Sequence, residues 1–487
     1  MATQIAVSDL TWLLMDRPNN LMQVHGLFSF DELPPLEEIR QAVFDRVVSK
    51  YRVMSQIPVN KRGRWYWEDD VDFDIARHVP RIVLEDARPE TMRAHVSAQF
   101  SRPIDRSRPL WEYQVISGPP EQSTAGVILT RHHHGLADGI RLVQLLMGMC
   151  DPREDAMPGK VGRGDTASIA DRVLHLAEHT VRDTVDYVQH AGEAVAHHGR
   201  AIFATLNPLD FPHQLERVAD LARHPVKAID AVTSVAADDN EFSNSWRELS
   251  RLLLHDRADT GGAWSGHPGV AKKVDWLEGL SLADVRAAAK RHGSTINDTL
   301  MAAVSLALTD YLDERGVEEI TDLGWMMPIS LRPIDASLPD QLGNHFAVIL
   351  FEMPLGIRDP SELIAEIHLR STRLKNSVEP VVSFGMQRFI AESPLGVARR
   401  VTNFFSGKTV GQLSNVPGPR VQLDFVGHPV RSIIGWVPTS GDQPLGICLF
   451  SYNGTVAVGI ASDARMVPDP EHISELIRRN ITRLARG

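Results

Sequence analysis

Arg131-His132-His133-His134-Gly135-Leu136-Ala137-Asp138-Gly139 is the stretch whose surroundings decide how this chain is read. It follows Gly126-Val-Ile-Leu-Thr130, a β-branched apolar run that predicts a buried strand. It precedes Ile140-Arg-Leu-Val-Gln-Leu-Leu-Met-Gly-Met149, whose Ile140, Val143 and Met147 share a helical face with Leu142 and Leu146 beside it. The histidines therefore leave the end of a strand and enter a loop that closes into a helix. Imidazole titrates near neutrality, so a histidine placed there suits the removal of a hydroxyl proton as the oxygen attacks. Adjacent side chains at a strand end diverge, so only one of His133 and His134 can readily face a common cavity, and the other is expected to do structural work. Asp138 is too close in chain to act as a free-standing acid. It reads as an anchor, and once buried it calls for a cation such as an arginine. Gly139 supplies backbone freedom for the turn into the helix.

Outward from that stretch, 487 residues exceed what one growing core accommodates, so two domains are expected. Hydrophobic residues at 43% and charged residues at 23% describe an ordinary folded chain. A net charge of -11 leaves no basic footprint for nucleic acid. Two cysteines, Cys150 and Cys448, lie far apart in apolar sequence, which argues against a disulfide framework and for a reducing cytoplasm. The N-terminus does not read as a signal peptide, and apolar runs such as Phe346-Ala-Val-Ile-Leu-Phe351 are strand-sized, so any membrane contact is expected to be peripheral. No G-x-S-x-G elbow appears, nor either glycine-rich phosphate loop, so serine-hydrolase and nucleotide chemistry lose support.

The pattern predicts an α/β (α+β) fold in three stretches. Residues 1–150 alternate short strands with helices such as Pro35-Leu-Glu-Glu-Ile-Arg-Gln-Ala-Val43, where Leu36, Ile39, Val43 and Val47 share a face. Residues 151–269 read as a helical connector whose histidines (His175, His179, His190, His197 and His198) are solvated. Residues 270–487 begin with one helix capped by Ser281 and ended by Gly293, then a long one capped by Thr295 with Asp298 completing a near capping box. Strands follow from Leu323, and an amphipathic helix from Glu471 closes the chain. Asn297 falls in the first turn of the long helix, where it could serve a site or bond the helix terminus. A metal site built on His134 and Asp138 is a competing reading, although no second ligand cluster of suitable spacing stands out.

His133 to Gly139 also matches the HHxxxDG signature of the chloramphenicol-acetyltransferase-like superfamily. Within it the chain resembles the bacterial wax ester synthase/diacylglycerol acyltransferase family, through Ser8-Asp-Leu-Thr-Trp-Leu-Leu-Met-Asp16, Pro109-Leu-Trp-Glu112, Thr295-Ile-Asn-Asp298, Met327-Pro-Ile-Ser-Leu-Arg-Pro333, Gly343-Asn-His-Phe346, Ser414-Asn-Val-Pro-Gly-Pro419 and Ser451-Tyr-Asn-Gly454, in the family's order. The resemblance implies two chloramphenicol-acetyltransferase-like domains packed as a pseudo-dimer, with an interdomain tunnel reaching one catalytic histidine. It implies His134 as general base, His133 as assistant or structural neighbour, Asp138 as ion-paired anchor with Arg332 as its partner, Gly139 in the loop, and Asn297 near the site. Acyl-CoA would be a substrate, with no cofactor and no metal, and the acceptor diacylglycerol or a fatty alcohol, yielding triacylglycerol or wax ester. A peripheral membrane or lipid-droplet surface would then be a partner. The rivals are an acyltransferase for a polyketide or glycolipid hydroxyl, a condensation-type domain forming amides, and a catalytically silent lipid-binding scaffold. Gly135 departs from the family's usual small residue and is expected to loosen the loop. The segment Thr260–Gly269 and a long connector are further departures.

Overall fold

The structure, a computed structural model, describes residues 2–153, 264, 266–330, 342–344, 346–375, 402–403 and 406–486. Nearly all of the expected connector, and Arg332, lie outside the described residues. Two mixed sheets carry the fold, in keeping with the α/β reading. The first is built from β1 (Gln23–Phe30), β2 (Arg81–Val83), β3 (Trp111–Ser117) and β4 (Gly126–His133). The second holds β5 (Lys272–Ser281), β6 (Leu323–Ser330), β7 (Phe346–Met353), β8 (Gly411–Pro417), β10 (Leu445–Tyr452) and β11 (Thr455–Asp463), in the order β7-β6-β8-β10-β11-β5. Between β8 and β10 the chain departs: β9 (Ser432–Trp436) pairs antiparallel with β1, from Ser432 opposite Ser29 to Trp436 opposite His25. The first sheet therefore runs β9-β1-β4-β3-β2, its outermost strand lent by the second half.

This exchange builds a seam. Leu27 and Leu129 from the first sheet, Val274 and Trp276 from β5, and Ile434 and Trp436 from β9 form one buried cluster. Trp276 and Trp436 meet edge to face at 5.7 Å, a favoured aromatic geometry. On α3 (Pro89–Phe100), Arg93 lies over the Trp276 ring at 4.8 Å and pairs with Asp275 at 2.5 Å. Across the same divide, Val416, Cys448, Phe450 and Tyr452 of the second half pack into the first half's core.

Beside α2 (Leu36–Val43), which buries Ile39 and Val43 in the first half's core, the helices that matter to the site are α1 (Val7–Met15), α4 (Gly139–Met147), α5 (Leu282–Arg291) and α6 (Ile296–Asp313). Ser281 caps α5 by accepting from the Asp284 N–H, and Gly293 follows its end with a φ of 60°. Thr295 and Asp298 form a full capping box at the start of α6. In α4 the buried apolar side chains are Leu142, Leu145, Leu146 and Met147, and Ile140 and Val143, half-buried, pack against the same core. The core side also takes Arg141 and Gln144, which satisfy each other at 2.8 Å, and a polar pair of that kind disguises a buried face in the sequence.

Candidate active site

β4 occupies the middle of the first sheet and runs through His133, three residues past the apolar stretch that signals it, with His132 opposite Trp111 and His133 opposite Gln23. Its alternation separates the first two histidine-region side chains. Arg131 is fully buried and pairs with Glu112 at 3.1 Å and with Gln23 at 3.1 Å, while His132 turns to Tyr113, 2.9 Å from its hydroxyl. Burial pulls His132 down to about 3, so it stays neutral inside the sheet.

Past His133 the ladder ends and the pleat no longer separates neighbours, so His133 and His134 both address α1 instead of diverging. The Gly135 N–H donates to His133 Nδ1 at 2.9 Å, which leaves Nε2 to donate to Asp16 Oδ2 at 3.1 Å. Asp16 also receives Arg106 at 2.9 Å and the Met22 N–H at 2.6 Å. Burial alone would raise the Asp16 carboxyl, but these bonds outweigh it and hold Asp16 below its ordinary value.

His134 is fixed from several directions. Its N–H donates to the Met22 carbonyl at 2.8 Å, and its own carbonyl accepts from Asn344 Nδ2 at 3.0 Å. Its ring stacks on Trp12 at 4.2 Å between centroids. It is 7% exposed, and burial lowers its pKa although the Asp138 charge pulls the other way, so the imidazole is neutral near pH 7. Asp138, also buried, caps α4 by accepting the Arg141 N–H at 2.9 Å, and its own N–H reaches the Gly343 carbonyl at 3.3 Å. Among its contacts is thus a helix cap, which the spacing of Asp138 from Arg141 signals. Gly139 opens α4 without a positive φ, so its backbone freedom is not what the turn draws on. Gly135 does the opposite of loosening: a Cβ there would stand 2.9 Å from the Leu13 side chain and 3.1 Å from His133 Nδ1, so glycine lets α1 close onto the loop.

The sequence reading singled out neither Asp9 nor Asn344. Asp9 accepts from the Asn344 N–H at 3.2 Å and from Nδ2 at 2.9 Å, which joins α1 to the Gly343-Asn344 loop of the second half. Its burial raises the Asp9 carboxyl to about 6. Asp9 and Trp12 of α1 and its C-cap Asp16 fall at spacings of three and four, the helical periodicity that places them on one side. The side chain of Asn297 bonds to β8: its Oδ1 accepts from Asn415 at 2.7 Å and its Nδ2 reaches Met301 Sδ at 3.3 Å. Trp111 of the Pro-Leu-Trp motif is core, its indole N–H bonded to the Met54 carbonyl at 2.7 Å. Among the described residues no group of three His, Cys, Asp or Glu side chains is arranged to hold a metal ion.

Solved structures share this architecture over the whole chain. The wax ester synthase/diacylglycerol acyltransferase from Marinobacter aquaeolei VT8 superposes with a TM-score of 0.64 at 17% identity, covering 99% of this chain and 98% of that one. The first condensation domain of the calcium-dependent antibiotic synthetase gives 0.55 at 12% identity, over 100% and 96%. The fold is thus the chloramphenicol-acetyltransferase-like one, in two domains, and the HHxxxDG loop sits where the first domain's central strand ends.

The sequence profile of the wax ester synthase/diacylglycerol acyltransferase catalytic domain matches residues 5–300, and that of the WS/DGAT C-terminal domain matches residues 342–485. The chain belongs to the wax ester synthase/diacylglycerol acyltransferase family and is an acyltransferase. A Mycobacterium tuberculosis protein named as a probable diacylglycerol O-acyltransferase is 26% identical over 432 residues, 86% of this chain and 81% of its own length. Wax ester synthase/diacylglycerol acyltransferase 2 of Arabidopsis thaliana is 25% identical over 411 residues, 80% of this chain and 75% of its own.

Proposed function

We propose that this chain transfers a long-chain fatty acyl group from acyl-CoA to diacylglycerol or a fatty alcohol, with His134 as general base. The observation that carries the reading is a neutral, buried imidazole held through both its backbone N–H and its carbonyl at the end of a central strand. The ring takes the hydroxyl proton as the acceptor oxygen attacks the thioester carbonyl. The C–S bond then breaks, and the imidazolium returns its proton to the departing thiolate. No covalent enzyme intermediate and no cofactor enter the balance. His133 and Asp138 keep the loop in place, one through Asp16 and the other through the start of α4. Asn297, bonded to Asn415 on β8, shapes the facing half.

An apolar tunnel between the domains would favour long acyl donors, since each buried CH₂ is worth roughly 0.8 kcal/mol. Substrates of that kind fit work at a membrane or lipid-droplet surface. Among the described residues no helix is long and apolar enough to cross a membrane. The test is thiol release from palmitoyl-CoA with hexadecanol, with diacylglycerol, and with no acceptor, for wild type and His134→Ala. Acceptor-dependent release that His134→Ala abolishes supports the proposal. Release without any acceptor dependence, or none at all, overturns it in favour of a different hydroxyl acceptor or a silent scaffold.

A further inference from the structure

Helix α1 and its C-cap face the HHxxxDG loop: Trp12 stacks on His134, Asp16 bonds His133, Leu13 lies against Gly135, and Asp9 reaches the loop through Asn344. We infer that Trp12, stacked on His134, and Asp9, gripping Asn344, are positioning residues of the reaction, which makes α1 a working part of the site. This inference rests on the reading of His134 as the base.

The geometry separates this role from packing. A helix that only filled a core would present apolar side chains to the loop, because a buried carboxylate is expensive unless its hydrogen bonds are satisfied. Asp9 is 7% exposed, yet it accepts both the backbone and the side-chain N–H of Asn344. Asn344 then spends its second amide hydrogen on the His134 carbonyl. One carboxylate on α1 therefore fixes a residue of the second half, and that residue fixes the backbone of the base. Trp12 completes the arrangement from the side: the half-buried indole lies over the imidazole with an interplanar angle of 24°, limiting both its rotation and its contact with water. Among the described residues, the titratable groups facing His134 are His133 and Asp138 on its own loop and Asp9 across Asn344, with Asp16 and Arg106 behind His133.

The full chain is compared as Trp12→Phe, Trp12→Ala, Asp9→Asn, Asp9→Leu and His134→Ala, reading kcat, KM and the pH profile of acceptor-dependent thiol release. Phenylalanine keeps an aromatic face over His134 and asparagine keeps an acceptor for Asn344, so both should retain kcat and profile close to wild type. Trp12→Ala opens the ring to water, and its acid limb should move up toward the ordinary histidine value of about 6.5, giving roughly a fourfold loss at pH 6 with almost none at pH 8. Asp9→Leu should lower kcat by on the order of tenfold or more with KM little changed, the pattern of a misplaced catalytic group. Should Trp12→Ala not fold, the contrast between the two Asp9 variants decides. Folded Trp12→Ala and Asp9→Leu proteins with wild-type kcat and pH profile, beside an inactive His134→Ala, overturn the inference and leave the base intact. An active His134→Ala defeats the base itself.

Discussion

His133 Nε2 stands 3.1 Å from Asp16 Oδ2, and this contact gives two neighbouring histidines different surroundings. His133 has both ring nitrogens engaged, by the Gly135 N–H and by Asp16, whereas His134 meets α1 through the face of its ring. Asp16 in turn holds Arg106 and the Met22 N–H, and the carbonyl of Met22 receives the N–H of His134.

Removing the Asp16 carboxylate should therefore disturb His134 through the chain. Asp16→Ala is expected to lower kcat by on the order of 10- to 100-fold, since small displacements of a catalytic group have effects of that size. Asp16→Asn, which can still accept from His133, should recover most of it. Steady-state kinetics on both variants, with near-UV circular dichroism as the folding control, checks this, and equal kcat for Asp16→Ala and wild type would count against it.

Because burial lowers the His134 pKa, the base stays unprotonated on the acid side of an ordinary histidine. The kcat/KM profile should stay flat from pH 8 down through about 6.5, the unperturbed value, and fall only below it. His134→Ala should reduce kcat by about 10² to 10⁴-fold across that range without altering the circular dichroism spectrum. A limb centred at or above 6.5 would contradict the burial argument.

Gly135→Ala would place a methyl group against Leu13 and His133. Activity should fall, and Leu13→Ala in the same chain should restore part of it by making room, although Leu13→Ala alone costs about 2–5 kcal/mol of stability. A double-mutant cycle on kcat and on the urea midpoint measures the coupling, and strictly additive effects would mean that the helix does not press on the loop.

His132, His134, His25 and His78 all have pKa values lowered by burial, so the folded chain refuses protons that the unfolded chain accepts. Stability is fully present above the unfolded pKa of about 6.5 and is lost as pH falls below it, at up to ~1.4 kcal/mol per pH unit for each such histidine. Asp9, raised to about 6 by burial, works in the opposite sense between its unfolded and folded values. The urea midpoint should drop on going from pH 7.5 to 5, and a midpoint that is constant or rises would show that these rings are protonated in the folded state.

How much of this was legible in the sequence follows from how local each signal is. The caps at Ser281 and Thr295 obey short-range rules and stood out directly. So did β4, whose β-branched run is a local pattern, although its last three residues are polar and were not visible as strand. The pleat predicts that His133 and His134 diverge, but the ladder stops at His133 and the two rings both turn toward α1 and its C-cap, one to Asp16 and the other to Trp12. Asp138 caps the start of α4, a role set by its three-residue spacing from Arg141, while Arg332, its expected partner, lies outside the described residues. Asp9 and Asn344 meet across 335 positions, and nothing local in either segment reports such a contact.

The strand Ser432–Trp436, hydrogen-bonded to Gln23–Phe30, also governs how such a chain can be recombined. A chimera spliced between two relatives near residue 270 would inherit this ribbon from one parent and the edge that receives it from the other. Its success would turn on whether Trp436 still finds the Trp276 edge and whether Gly435 still lies opposite Gly26, more than on any residue near the histidines. The halves are woven, and shuffling them means matching the weave.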